Sequence, residues 1–505
     1  MVNLVTAGRS AVALVVVVIL AAAGGAPAGP AAPPGTLRIA YPQRVVSLDA
    51  HGPAAAERIS IILGRHLYDT LVTWDPAAKK FQPALAERWR IVDPTTWEFQ
   101  LRRGVRFHDG SEFTAAAVKT SLERVVALRG PLTPLFTPVT AVETPDSYRV
   151  VIRTQGPMGT LLSNLTMLYI VPAGTPPTPA FAERPVGTGP FRFVEFVRDT
   201  RVVLEANPAY WQRGIPKLQR LVFVDIPELS ARVTALETGE IDMTVQLTPE
   251  EIKRLRGNAQ IKIEIGPTYY TRFLWINPTR KPFDHPKVRQ ALRHALNIPA
   301  ITSSLLAGIA KPARGPIAAN VLCAVEFPLH GFNTPLARKL LAEAGYPGGF
   351  ETELKWNDAL PKEREVADAI TGQLALVGIR VKNTLQPRAI WLDDLLKLNW
   401  DLNLLGTGAV TGDADYTLGR LYHSRARRTG YANPEVDRLL EQAAATVDLD
   451  RRCELYRRVQ EILWTDGPAV FLFEALESYA YRTRVQGFKL PPSEIFTLSE
   501  VSVTP

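Results

Sequence analysis

A chain of 505 residues, 46% of them hydrophobic, can bury a large core and is long enough for at least two domains, which excludes a disordered protein. The formal charge is +8, but basic and acidic residues are well mixed. Without a concentrated basic face the chain is not expected to bind nucleic acid.

At the N-terminus, Arg9 precedes an apolar run from Ala11 to Ala23 and the small residues of "GGAPAGPAAPPG". This is the layout of a secretory signal peptide, so residues 1–28 are expected to be cleaved on export. The run is shorter than the roughly 20 residues a membrane-spanning helix needs. No cysteine follows either small-x-small cleavage site, which points to a soluble, unlipidated protein of the periplasm. Export would permit a disulfide between the two cysteines, Cys323 and Cys453, although sequence does not say whether they meet.

Taken in chain order, "TLRIAYP" (residues 36–42) reads as a buried strand. "TWEFQLRRGVRFHDG" (96–110) alternates apolar and polar residues on both sides of Arg103-Gly104 and predicts two strands closing on a turn. Asp109-Gly110 is a second turn signal, and Thr114 is placed to cap a helix over "AAAVKTSLERVVAL". His108, Asp109 and Ser111 lie together there, as acyl-transfer chemistry would want. Side chains at i and i+1 on a strand point to opposite faces, however, so adjacency argues for turn residues rather than a dyad.

Further strands are predicted at "TRVVLEA", "RLVFVDI", "TRFLWIN" and "WDLNLLG". Amphipathic helices are predicted at "SARVTALETGEID", "PKVRQALRHALNI", "TPLARKLLAEAGY", "PEVDRLLEQAAATV" and "RRCELYRRVQEILW". The alternation defines an α/β protein. No GxSxG elbow, HExxH helix or GxxxxGK[ST] loop is present, and the seven histidines show no close metal-ligand pair. No catalytic residue, metal or cofactor is therefore expected.

Several ordered stretches carry a resemblance over nearly the whole mature chain. They include "LYDTLV" (67–72), "PALAERW" (83–89), "VGTGPFRF" (186–193), "NPAYW" (207–211) and "ALETGEID" (235–242). "INPTRKPFDHPKVRQALRHALN" (276–297), "KLLAEAGYPGGF" (339–350), "TGDADY" (411–416) and "YANPEVDRLLEQA" (431–443) follow. In order and spacing the chain resembles the family 5 extracellular solute-binding proteins, the dipeptide, oligopeptide and nickel receptors of ABC importers.

That resemblance implies a two-lobed periplasmic binding protein of class II, dipeptide-binding-protein-like, with an extra inserted domain. Lobe I would combine residues 35–47, 182–265 and 478–505. The insert would span 48–181, and lobe II 266–477. A hinge would lie near "IGPTYY" and "ESYAYR", and closure around solute would be a hinge motion. The implied partners are a peptide-like small solute and the membrane subunits of an ABC permease, with the receptor a monomer. Alternatives are a receptor for a metal chelate, haem or sugar derivative, or a non-transport sensor or chaperone.

The resemblance also implies the cleft. The loop after "WDLNLL", with Gly406, Thr407, Gly408 and Val410, is expected to face solute, its glycines allowing close backbone approach. Asp413 and Asp415 are candidates for binding an amine, with loop bracing, or for Asp415 the capping of a helix beginning at Tyr416, as the competing role. Trp391 matches a cleft aromatic, against core packing. Val46 and Ser47 lie where the family's first lobe meets ligand. Tyr270 could stack on a solute, Arg272 could take a carboxylate, and Asn277 and Arg289 would brace the fold.

In peptide receptors the glycine matching Gly406 is followed by tryptophan and, three residues later, by the aspartate that pairs with the peptide amine. Here Thr407 and Val410 occupy those places. Valine cannot make that charge-assisted bond. Glutathione-binding members carry a similar "TGDAD"-type loop, so a modified or peptide-like solute is the first expectation.

Overall fold

The computed structural model describes residues 33–358 and 361–504. The proposed signal segment, 1–28, lies outside them. Eleven strands form one mixed sheet. Thr36–Tyr41 sits inside it, parallel to Arg220–Asp225 on one side and to Met243–Val245 on the other. Five of its six residues are buried, as a central parallel strand covered on both faces requires.

Two strands are much longer than the rest, Ile261–Ile276 and Ala469–Arg482. They pair antiparallel with each other, and their register breaks between Pro267 and Thr271. Pro267 lies at the break, and proline has no N–H to give a ladder. On one side of the break Met243–Val245 pairs with Tyr479 to Tyr481. On the other, Leu402–Gly408 pairs with Tyr270 to Ile276. The same two strands therefore carry both halves of the sheet, and any change of angle between the halves must bend them at the break.

A separate four-stranded antiparallel sheet holds Ala86–Asp93, Thr96–Leu101, Arg149–Thr154 and Val139–Asp146. The helix Ala115–Ala127 closes a core of its own there, with Phe99, Val118 and Ile152 buried. The five amphipathic stretches are the helices Leu229–Thr238, Pro286–Ala295, Thr334–Glu343, Pro434–Ala445 and Leu449–Asp466. The first stops short of "GEID" because Gly239 adopts a left-handed conformation, φ 82°, that ends the helix.

One local expectation is corrected. Thr96–Leu101 is a strand, but "VRFHD" is not. Gly104 and Gly110 both take positive φ, and only an isolated bridge, Arg106 with Glu112, joins the two sides. Thr114 does precede the helix in extended conformation, yet its side chain makes no cap bond.

His108 accepts the Gly187 N–H on Nδ1 at 3.2 Å and lies 3.0 Å from the Gly189 carbonyl through Nε2, a pattern that assigns the proton to Nε2. Asp109 instead accepts the N–H and Oγ–H of its own neighbour Ser111 at 2.9 and 2.6 Å. The three side chains are spent on loop structure, and no base faces the serine.

Cys323 and Cys453 are joined as a disulfide across 130 residues of chain. Among the described residues no helix is long and apolar enough to cross a membrane.

Candidate functional site

Five of the residues expected at the cleft line one cavity of about 240 Å³, namely Tyr270, Arg272, Trp391, Gly406 and Thr407. The pairing of Tyr270 and Arg272 with Gly408 and Gly406 on the neighbouring strand brings them there. Gly406 is required by packing, since a Cβ would sit 2.5 Å from Tyr270 Cε1 and 2.7 Å from the Thr271 carbonyl. The expectation of a ligand-exposing loop starting at Gly406 is thus corrected. The strand runs on to Gly408, and its backbone is paired.

Trp391 is both wall and core. It is 8% exposed, its indole N–H donates to Asn403 Oδ1 at 2.9 Å, and one edge faces the cavity. Tyr270 donates its hydroxyl to the Gly406 carbonyl at 3.1 Å. The Arg58 guanidinium lies 5.9 Å from the centre of the Tyr270 ring.

Arg272 is not free for a carboxylate. It is buried in an ion pair with Glu363, and Glu363 lines a second cavity together with Arg58 and Glu477. A buried guanidinium needs such a partner, because a lone charge cannot be desolvated cheaply. The pair forms a wall between the two spaces.

The remaining expected residues lie elsewhere. Gly408 ends its strand under Glu494, whose Oε1 would be 3.3 Å from an added Cβ. Val410 lines a different cavity of about 400 Å³ with Ile61, Tyr269 and Gly412. Tyr269 and Tyr270 are adjacent on one strand and so point to opposite faces, which separates the two spaces. Val46 is exposed, and Ser47 Oγ accepts the Asp49 N–H at 3.1 Å. Neither lines the Trp391 cavity. Asp49 itself is held bidentate by buried Arg124, both contacts at 2.7 Å.

Asp413 and Asp415 are corrected as amine ligands. Asp413 is 1% exposed, accepts the Asp415 N–H at 3.0 Å as the helix N-cap, and pairs with Arg452 and Ser163. The cap is thus Asp413 rather than Asp415. Asp415 accepts the Tyr456 hydroxyl at 2.7 Å, and burial pushes its carboxyl up to about 6. Asn277 and Arg289 do brace the chain, Asn277 through the Trp400 carbonyl and Arg289 through the carbonyls of Phe283 and Asp466.

Three further residues of the cavity wall were not expected: Arg388, Arg420 and Arg428. Arg420 donates to Thr407 Oγ1 at 3.0 Å and lies 4.7 Å above the Tyr416 ring. Burial, reinforced by the Arg420 charge, holds the half-buried Arg428 guanidinium below its ordinary value. Only Arg388 had a sequence signal, standing three residues before Trp391 and so on the same helix face. The other two come from a helix and a turn that only the fold brings alongside.

Known proteins share this architecture. A family model described as Bacterial extracellular solute-binding proteins, family 5 Middle, matches residues 80–428. The glutathione-binding protein GsiB of Pectobacterium atrosepticum is 32% identical over 484 residues, covering 92% of this chain and 94% of that one. GsiB of Escherichia coli K12 is 30% identical, covering 89% and 91%.

Among solved structures, HbpA2 of Haemophilus parasuis superposes with a TM-score of 0.81 at 25% identity, covering 93% of this chain and all of that one. The periplasmic binding protein DppA of Helicobacter pylori, in complex with the peptide STSA, gives 0.79 at 26%, covering 93% and 98%. The fold is that of the periplasmic binding protein class. The chain belongs to the family 5 bacterial extracellular solute-binding proteins.

Proposed function

We propose that this chain is the exported receptor of an ABC importer and binds a peptide-like solute in the cavity between Tyr270, Trp391 and Thr407. Residues 1–28 are the signal that is removed, and the mature protein works as a periplasmic monomer. Lobe I (35–47, 182–265 and 478–505), carrying the insert 48–181, closes on lobe II (266–477) by flexing the two long strands at their register break. The permease recognises the closed form. The disulfide is consistent with an oxidising compartment.

The observation that carries this reading is the cavity itself. It is a concave space walled by Trp391, Tyr270 and leucine side chains on one hand and by Thr407 and arginines on the other, and it adjoins the strands that join the two halves of the sheet. The relatives named for glutathione make that tripeptide the first solute to test.

Native mass spectrometry of the protein purified from the periplasm should show a retained small peptide-like molecule. Calorimetry should then show that Trp391→Ala weakens its binding. Binding that survives Trp391→Ala unchanged in a folded protein would move the site elsewhere.

A further inference from the structure

The charge of the cavity says more about the solute than its shape. Arg388, Arg420 and Arg428 all face the space, and no aspartate or glutamate is among its lining side chains. Several arginines of the same lobe are matched by a carboxylate. Arg272 has Glu363, Arg425 has Glu441, Arg438 has Glu435 and Arg452 has Asp413. Among the described residues none of the three cavity arginines is paired with a carboxylate. Asp358 shares a neighbouring recess with Arg388, but the two form no ion pair.

Guanidinium groups are rigid forks that match a carboxylate through two parallel N–H bonds. Three of them lining one space leave positive charge that no protein carboxylate matches and that an anionic ligand would meet on entry. Arg420 is already oriented, held by Thr407 Oγ1 on one side and the Tyr416 ring on another. Arg388 opens the helix Arg388–Leu396, on the face that also presents Trp391. The third arginine follows the short turn Ser424–Ala426. An amine entering this space meets no counter-charge, because Asp413 and Asp415 are turned into the protein and Val410 faces another cavity.

We infer that the cavity selects a solute carrying at least two carboxylate groups, held by Arg388, Arg420 and Arg428, and that a free amino group contributes nothing to recognition. This rests on reading the cavity as the solute site. It deepens that reading by stating which end of a peptide-like molecule is read. An ordinary zwitterionic dipeptide, with one carboxylate and one ammonium, is the wrong charge type for the site.

The test uses the mature protein, dialysed free of retained solute, and calorimetric titration with four probes. These are glutathione, its diethyl ester, its N-acetyl derivative and a neutral dipeptide. Glutathione should bind at least tenfold tighter than the diester and the dipeptide, and N-acetylation should change affinity by less than about twofold.

Arg388→Gln and Arg420→Gln, both at exposed side chains and checked for unchanged melting, should each weaken glutathione at least tenfold while leaving the diester alone. The comparison among probes needs no variant, so it stands even if one fails to fold. Equal binding of acid and diester, or loss of binding on N-acetylation, would overturn the inference while leaving the cavity as the site. Binding of none of the probes would remove the peptide-like reading and the inference with it.

Discussion

Arg452 donates from Nη2 to Asp413 Oδ2 at 2.7 Å, and both side chains are almost completely buried. Ser163, from the segment that follows the four-stranded sheet, donates to the same carboxylate oxygen at 2.5 Å, and Gly159 N–H reaches the Ala444 carbonyl at 2.8 Å. Asp413 therefore ties three separate pieces of chain while capping its own helix. Arg452 Nε and Nη1 have no partner, so the pair as a whole adds little net stability. Breaking it is another matter. Asp413→Ala strands a buried guanidinium and should cost about 3 to 5 kcal/mol in denaturant unfolding. Asp413→Asn with Arg452→Met should recover much of that loss, and a double variant no more stable than Asp413→Ala would contradict this account.

Trp391 should report on binding and on stability together. Truncation to alanine removes a large buried side chain, worth about 3 kcal/mol or more, and leaves Asn403 Oδ1 without its donor. Trp391→Phe keeps most of the cavity wall and loses only the hydrogen bond, so its stability cost should be near 1 kcal/mol. Affinity should fall about tenfold in the alanine variant and less in the phenylalanine variant. Equal affinity in all three proteins would show that this side chain is core alone.

The disulfide fixes the backbone beside the same aspartate. Cys323 follows Leu322, whose N–H and C=O bond to Gly412 and Ala414, and Cys453 follows Arg452. A crosslink across 130 residues restricts the unfolded chain by up to about 5 kcal/mol in the chain-entropy account. Cys323→Ser with Cys453→Ser should lower the melting temperature markedly, and reductant should have the same effect on the unmodified protein. A melting temperature indifferent to reductant would count against the bond.

Four histidines weaken the fold as acid is added. His51, His66, His108 and His330 are each held down to about 4, burial being the first cause. Each ring is satisfied as the neutral form. His66 lies 2.7 Å from the Ile62 carbonyl through Nδ1 and accepts the Leu498 N–H on Nε2 at 3.0 Å, so protonation would break the second bond. The unfolded chain takes up these protons near pH 6.5 and the folded chain only near pH 4. Stability from these groups is thus complete above pH 6.5 and is lost as pH falls toward 4.

Glu477, pushed up to about 7 mainly by burial, works with the opposite sign. Its contribution is complete at low pH and is lost as pH rises through 7. Asp415 and Asp69, both pushed up to about 6 by burial, oppose the histidines in the same window, so the net slope between pH 6.5 and 4.5 should be shallow, and His66→Gln should shift it by about 1.4 kcal/mol per pH unit toward stabilisation by acid. An unchanged slope would mean that His66 titrates normally.

Much of the local architecture could be read from the chain, and the reason is visible at the helix starts. Asn333 and Asn433 each precede a residue pair containing proline and an amphipathic run, and in the fold each accepts a main-chain N–H of the first turn, from Leu336 and Glu435. Such signals lie within four residues of one another. The second strand expected at "VRFHD" failed because Gly104 and Gly110 adopt left-handed turns that periodicity does not register. The charge of the cavity lay beyond local reading altogether. Arg388 stands 32 positions before Arg420 and Arg428 eight after it, and each resembles any surface arginine until the helices are assembled. Asp413 was misjudged for the converse reason, since its partner Arg452 is 39 positions away.

Val410→Asp separates the two cavities most directly. In peptide receptors of this family the matching aspartate pairs with a free amine, but here Val410 borders the space shared with Ile61, Tyr269, Arg65 and Lys489 rather than the one walled by Trp391. A carboxylate placed there has basic side chains lining the same space, so the cost of burying it should be modest, on the order of 1 kcal/mol. Solute held by the arginines should be released no more than about twofold faster, because the new charge lies on the other face of the sheet. Unmodified dipeptides should gain nothing. If Val410→Asp instead conferred tight binding of dipeptides with a free amino group, the two spaces would be functionally one, and recognition by carboxylates alone would have to be abandoned.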